Sequence, residues 1–248
     1  MKAKFSQNYL SENIEISQII EDFDATGTTL YDDRNTIKIF DHKGDVLNIK
    51  RFKVPNAVNK IAYKFFRKSK AERSFNYAQE LLKREIDTPA PVAYFEEQLP
   101  FTFGTSYFVS KHITYDLTYR ELVQEPNFKD HEKILRAFTR FTYELHQKGV
   151  LFLDHSPGNT LIQINDGSYK FYLVDLNRMI FKDLTEEDRL KNFSRLSPKK
   201  EMVEVMANEY AKLISKPSVE IFEKMWAYTA AFQEQIERKN RLKQKFRK

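Results

Sequence analysis

Two short runs of alternating apolar residues, TLIQI (160–164) and YKFYLV (169–174), flank the tripeptide Asn165-Asp166-Gly167. Asp-Gly between such runs is the strongest short-range hairpin signal a sequence carries, because a two-residue turn needs positive φ at its centre. This hairpin constrains the chain more than any other feature. It lies inside an otherwise helical half, and it places Asp175 sixteen residues after Asn159.

The rest of the pattern is arranged around that hairpin. From Asn13 to Lys53 the chain reads as β-prone runs, IEISQII, TTLY, NTIKIF and VLNIKRF, the last two joined through a Gly44-containing loop as a second hairpin. Ala71, Phe75, Ala78 and Leu82 recur at helical spacing from Ser69 to Glu85, and Thr88-Pro89-Ala90-Pro91 is expected to end that helix. PVAYFEE and GTSYFVSKHI resume the strand pattern around a turn at Pro100. After Ile113 the character changes. Ile134, Leu135, Phe138, Phe141, Thr142 and Leu145 mark a long amphipathic helix, with Gly149 as its cap. The expected fold class is α+β: a small antiparallel sheet with one helix over about residues 1–112, and a mainly helical part over about 113–248, forming one domain.

Composition narrows the chemistry. With 41% hydrophobic and 14% aromatic residues, 248 residues bury a sizeable core. No run of eighteen apolar residues is present and the N-terminus lacks an apolar leader, so the expectation is a cytoplasmic protein. Zero cysteines exclude thiolate metal sites, and five scattered histidines show no HxxxH or HExxH spacing. The last dozen residues, ERKNRLKQKFRK, carry seven Lys or Arg against Glu237. Such a tail is a solvated helix end or a cationic patch for anionic lipid. With Phe246 its only aromatic residue it offers little stacking surface for bases, so nucleic acid is not expected as a partner.

Polar residues stand where this organisation predicts plain strands and loops. Lys50 sits in VLNIKRF, Asp154 and Asn159 in LDHSPGNTLI, and Asp175 in YLVDLNR. Phosphoryl transfer needs a cation for nucleotide phosphates, oxygen ligands for Mg²⁺, and a carboxylate that orients the attacking hydroxyl. Lys50 meets the first need, Asn159 and Asp175 the second, and Asp154 the third. His155 and His146 read more simply as structural residues than as proton shuttles, and Trp226 as core. Arg178 either braces the loop at Asp175 or meets acidic groups of an acceptor.

Taken together, these segments resemble the protein-kinase-like superfamily over residues 26–196. VLNIKRF is similar to the strand carrying the phosphate-binding Lys. LHQKGVLFLDHSPGNTLI is similar to the helix and catalytic loop, and FYLVDLNRMIF to the strand ending in the metal-binding Asp, with Leu176-Asn177 in place of Phe-Gly. The resemblance implies ATP and Mg²⁺ as cofactors, and Glu72, ahead of Glu80, as the helix partner of Lys50. Counting back from Thr88-Pro89 falls nearer Ser74. Three departures stand out: Phe152-Leu153 replaces His-Arg, Ser156 replaces the Lys or Arg two positions after the base, and the loop GTTLYDDRN holds one glycine.

Within the superfamily, KNFSRL (191–196) and SKAERSFNYAQELLKREIDTPAPVAYFE resemble the lipopolysaccharide core (Kdo/heptose) kinases. That resemblance implies a lipid-linked sugar acceptor at the inner-membrane surface, with peripheral contact through the basic C-terminal tail. The aromatic-basic stretch 60–68 is a second candidate for that contact. Asp154-His155-Ser156-Pro157-Gly158-Asn159 is also similar to the loop of aminoglycoside and choline kinases, which implies a soluble acceptor. A pseudokinase scaffold is the reading from another class, favoured by the glycine-poor loop.

Overall fold

The computed structural model describes residues 1–54, 68–100 and 103–245; the stretch 60–67 and the last three residues of the basic tail lie outside them. The chain divides into two compact units. The first comprises Met1–Thr114 together with Asp175–Asn177, the second Tyr115–Val174 and Arg178–Lys248.

The first unit is a six-stranded antiparallel sheet in the order β1-β5-β6-β4-β3-β2, built from β1 (Lys2–Phe5), β2 (Thr28–Asp32), β3 (Thr36–His42), β4 (Asp45–Phe52), β5 (Pro91–Gln98) and β6 (Phe103–Lys111). β3 and β4 meet through Lys43 (φ 50°) and Gly44 (φ 84°), a two-residue turn with positive φ at both centres, which sets Ile37 opposite Lys50. Because side chains alternate along β4, Leu47 and Ile49 join the cluster with Ile16, Ile20 and Phe95, whereas Phe52 packs with Ala71, Phe75 and Tyr94. Lys50 shares the parity of Phe52. It therefore leaves the sheet on the side of the helix that carries Ala71 and Phe75.

That helix is α2 (Lys70–Lys83). Ser69 caps it, its hydroxyl accepting the Glu72 amide at 2.9 Å. Leu81 is buried and Leu82 exposed, so the core-facing stripe is 71, 75, 78 and 81 rather than ending at Leu82. The helix stops before the Thr88-Pro89 signal is reached. Glu85 takes the left-handed conformation (φ 54°), its amide bonds the Leu82 carbonyl at 3.0 Å and the Ile86 amide bonds the Leu81 carbonyl at 2.9 Å. This is a Schellman closure made without glycine, sealed by the burial of Ile86.

A second correction concerns IEISQII, which is helix α1 (Asn13–Glu21) and not a strand. Isoleucine favours strands, but Ile16 and Ile20, one helical turn apart, are both buried against the sheet while Ile14 is exposed. A single buried stripe decided the matter over β-branched propensity.

The second unit is mainly helical: α3 (Tyr119–Gln124), α4 (His131–Gln147), α5 (Glu186–Lys191), α6 (Lys200–Leu213) and α7 (Ser218–Lys245). Capping boxes open α3 (Thr118 with Glu121) and α5 (Thr185 with Asp188), and Gly149 (φ 68°) follows the end of α4. Phe138 of α4 sits in the core between Tyr119, with ring centroids 4.3 Å apart, and Phe171, at 5.6 Å. Trp226 of α7 packs half-buried against the same core. The anticipated hairpin is β9 (Thr160–Asn165) and β10 (Ser168–Leu173), turned by Asp166 (φ 43°) and Gly167 (φ 85°), with β7 (Leu117–Thr118) on its other edge. A separate pair joins β8 (Val150–Phe152) to β11 (Met179–Phe181), setting Phe152 opposite Met179. Beyond Phe232 and Gln233, α7 is exposed on all sides as far as Lys245.

Candidate active site

In the first unit the polar cluster is centred on Asp175. Lys50 Nζ donates to Asp175 Oδ1 at 2.8 Å, with the lysine side chain largely buried (15% exposed) and the carboxylate more open (39%). Asp175 has φ 57°, a left-handed conformation that few non-glycine residues adopt, and the turn is closed by the Asn177 amide on the Asp175 carbonyl at 2.7 Å. The side-chain Nδ2 of Asn177 also donates to Asp175 Oδ1. Both donors fall on the same oxygen. From α2, the buried Ser74 hydroxyl donates to Asn177 Oδ1 at 3.3 Å.

The helix thus reaches the Asp175 turn through Ser74 and Asn177. Glu72 takes a different partner from the expected one: its ion pair is with Lys68 at 3.6 Å, not with Lys50. A second cation, Lys70, lies near this cluster. Burial first, and then Arg34 and Lys50, lower the pKa of its ammonium against the opposing pull of Asp175. Lys50 and Lys70 both approach the face of Phe52, at 5.3 and 6.0 Å from the ring centre.

In the second unit the cluster is centred on Asp154, the second residue after β8. The β8–β11 ladder continues one step further, Leu153 N–H donating to the Arg178 carbonyl at 3.0 Å, and so brings Arg178 beside the aspartate. Asp154 Oδ1 accepts from Arg178 Nη1 at 3.2 Å and from Arg195 Nη1 at 2.9 Å. The same Arg195 nitrogen donates to the Leu153 carbonyl at 2.7 Å, and its guanidinium stacks 5.4 Å from the centre of the Phe232 ring. Asn159 Nδ2 donates to the Asp154 carbonyl at 2.8 Å, while the Asn159 carbonyl accepts from Val174, the residue before Asp175, at 3.0 Å. Between them Gly158 is constrained sterically. A Cβ there would lie 2.5 Å from Arg120 Nη2.

His155 points into the core. It lies between the rings of Phe138 and Phe152, and with His146 it shares one buried acceptor, Asn192 Oδ1, at 3.4 Å from His155 Nδ1 and 3.2 Å from His146 Nε2. Asn192 Nδ2 in turn donates to the Phe152 carbonyl at 2.8 Å, and the Tyr210 hydroxyl donates to His146 Nδ1 at 2.8 Å. Burial, above all other causes, holds both imidazoles neutral, His146 pushed down to about 3 and His155 to about 4. They brace the loop from behind. Neither is placed to shuttle protons.

The sequence pattern of the lipopolysaccharide kinase (Kdo/WaaP) family matches residues 32–216, a span that contains Lys50, Glu72, Asp154, Asn159 and Asp175. The chain belongs to that family. It is therefore a kinase, a phosphotransferase by class. Among solved structures, WaaP in complex with acyl carrier protein is similar at 14% identity and TM-score 0.63, over 96% of this chain and 99% of that one. A MAP kinase from Leishmania major, LmaMPK10, is similar at 16% identity and TM-score 0.50, over 86% and 66%. Both likenesses show a protein-kinase-like fold. No curated protein sequence matches the chain. Among the described residues, no helix is long and apolar enough to cross a membrane.

Each cluster, taken by itself, leaves an oxygen of the kind a hard divalent cation takes. Asp175 has both its donors on Oδ1, which leaves Oδ2, and Asn159 spends its amide nitrogen on a carbonyl, which leaves its side-chain oxygen. Carboxylate and amide oxygens are what Mg²⁺ takes, usually one or two from protein with the rest from water and phosphate.

Proposed function

We propose that this family member transfers the γ-phosphoryl group of ATP, with Mg²⁺, to a sugar hydroxyl of a lipopolysaccharide core precursor of the Kdo or heptose type. The family match, over a span that contains all five polar positions, carries the reading, and the Lys50–Asp175 pair supports it. In this reading the chain acts as one kinase domain. Lys50 holds nucleotide phosphate, and Asn159 and Asp175 ligate the metal; Glu72, paired with Lys68, is given no part in it. Mg²⁺, when bound, offsets the negative charge of the phosphates. Asp154 accepts the hydroxyl proton as the acceptor oxygen forms its bond to phosphorus and the bond to the ADP oxygen breaks. Two donors hold Asp154 Oδ1, so Oδ2 is the atom left to take the proton.

For partners, the exposed end of α7 carries Arg238, Lys239, Arg241, Lys243 and Lys245, a cationic stretch suited to an anionic bilayer that presents the acceptor. The complex of the similar WaaP chain with acyl carrier protein supports a protein partner as well. The test is transfer of labelled γ-phosphate to a lipid-linked Kdo acceptor and to soluble aminoglycosides and amino alcohols, with Asp154→Asn as control. Transfer to the lipid acceptor, lost in the variant, is expected. Transfer to a soluble compound alone would move the protein to the small-molecule kinases, and Mg-ATP binding without any transfer would make it a scaffold.

A further inference from the structure

Ser156 occupies the place, two residues after the base, where the kinase pattern carries a cation. Phosphoryl transfer gains most of its rate from positive charge aimed at the migrating group, so a loop without that cation needs one from elsewhere. The second unit supplies two guanidiniums at Asp154, and they are not equivalent.

Arg195 is fixed. One nitrogen serves two acceptors at 2.7 and 2.9 Å, the guanidinium stacks on Phe232, and the side chain is two-thirds buried (34% exposed). Moving it would leave the Leu153 carbonyl and the carboxylate short of a charged donor, a loss that keeps it in place. Arg178 is anchored only by its backbone, through the Leu153–Arg178 hydrogen bond. Its side chain is mostly exposed (57%) and makes one 3.2 Å contact with Asp154 Oδ1. Such a contact, screened by water, holds weakly, so the guanidinium leaves it readily.

We infer that Arg178 is a catalytic residue, the cation that replaces the missing loop lysine at the transferring phosphoryl group, while Arg195 is a positioning residue that holds Asp154 when Arg178 swings away. The inference rests on the phosphotransferase reading and adds a role to it. In resting protein Arg178 parks on Asp154; with nucleotide and acceptor bound it turns to the phosphoryl oxygens, and Asp154 is released to take the proton.

The experiment compares wild type, Arg178→Ala, Arg178→Lys and Arg195→Ala by steady-state transfer and by calorimetric binding of Mg-ADP with and without aluminium fluoride, a mimic of the phosphoryl group in flight. For Arg178→Ala, kcat is expected to fall about a hundredfold or more, as for loss of one charge-stabilising donor. Its affinity for Mg-ADP should stay, its extra affinity for the fluoride complex should vanish, and Arg178→Lys should restore part of both. Arg195→Ala should lower thermal stability and raise amide exchange across residues 153–159, neither of which Arg178→Ala should do. An Arg178→Ala enzyme with unchanged kcat and fluoride binding overturns the inference. So does a rise confined to the acceptor KM, which would make Arg178 an acceptor-binding residue. Absence of transfer by wild type counts against the proposed acceptor, and the binding arm still decides Arg178.

Discussion

Acid should loosen the second unit through His146 and His155, and the amount can be worked from their surroundings. Both are buried and neutral in the folded chain, at about 3 and about 4 against an ordinary 6.5. The unfolded chain therefore takes up two protons near pH 6.5 that the folded chain refuses. By linkage, stability is complete above that pH and falls as pH drops toward the folded values, by about 1.4 kcal/mol per pH unit for each histidine inside the window. At pH 5 each accounts for about 2 kcal/mol, so together about 4, a large share of a typical domain's stability. The assay is urea unfolding at pH 7.5 and 5.0 followed by the fluorescence of Trp226, the chain's single tryptophan, which packs on that unit's core. Carboxylates titrate as well, so the comparison is with His146→Gln/His155→Gln, which keeps amide donors for Asn192 and cannot take up the proton. The double variant should lose about 4 kcal/mol less than wild type between the two pH values, and each single variant about half of that. A difference below about 1 kcal/mol would refute the claim that these imidazoles are excluded from protonation by burial.

Three further outcomes follow from the geometry. Lys50→Met removes the cation on Asp175 Oδ1 and should raise the KM for ATP at least about tenfold, measured in the transfer assay. Phe138→Ala empties the space between Tyr119, Phe171 and His155 and should cost about 3–5 kcal/mol in urea unfolding. Gly158→Ala drives a methyl group into the Arg120 guanidinium; the flexible arginine can yield, so stability should fall by less than about 1 kcal/mol. Activity should drop because Asn159 is the next residue, and Arg120→Ala in the same chain should restore part of it.

Much of this architecture was legible in the chain because local signals agreed with tertiary burial. Asp166-Gly167 and Lys43-Gly44 turned the two expected hairpins, and the apolar stripe of α4 identified the longest helix before the Asp154 loop. Reading failed where tertiary contact outweighed local pattern. Ile16 and Ile20 became helical because the sheet offered them a common face, and Leu81 displaced Leu82 for the same reason of phase. Strand β1 is four residues long and mostly exposed, held by pairing with β5, so its sequence carries little periodicity to detect. At the polar clusters, the residue types were readable but their pairings were not. Lys50 meets an aspartate 125 residues away, and Arg195 meets Asp154 across 41 residues. Arg195 lay within the family-like KNFSRL segment, and Ser74 stood where the count from Thr88-Pro89 fell, so both had left a faint trace.

The three residues 175–177 belong with the first unit although the chain on either side of them belongs to the second. A ribosome finishing residue 114 has made nearly all of the first unit, yet Lys50 and Ser74 must wait for another sixty residues of synthesis before their partners exist. No cut in the polypeptide yields that unit whole. A fragment ending at Thr114 would leave the largely buried Lys50 ammonium with no carboxylate to neutralise it, so it is expected to be less stable alone than with a 175–177 segment carried over. Insertions, permutations and domain exchanges in this chain are bound by the same rule: the Asp175 turn travels with the sheet it touches, not with the sequence that surrounds it.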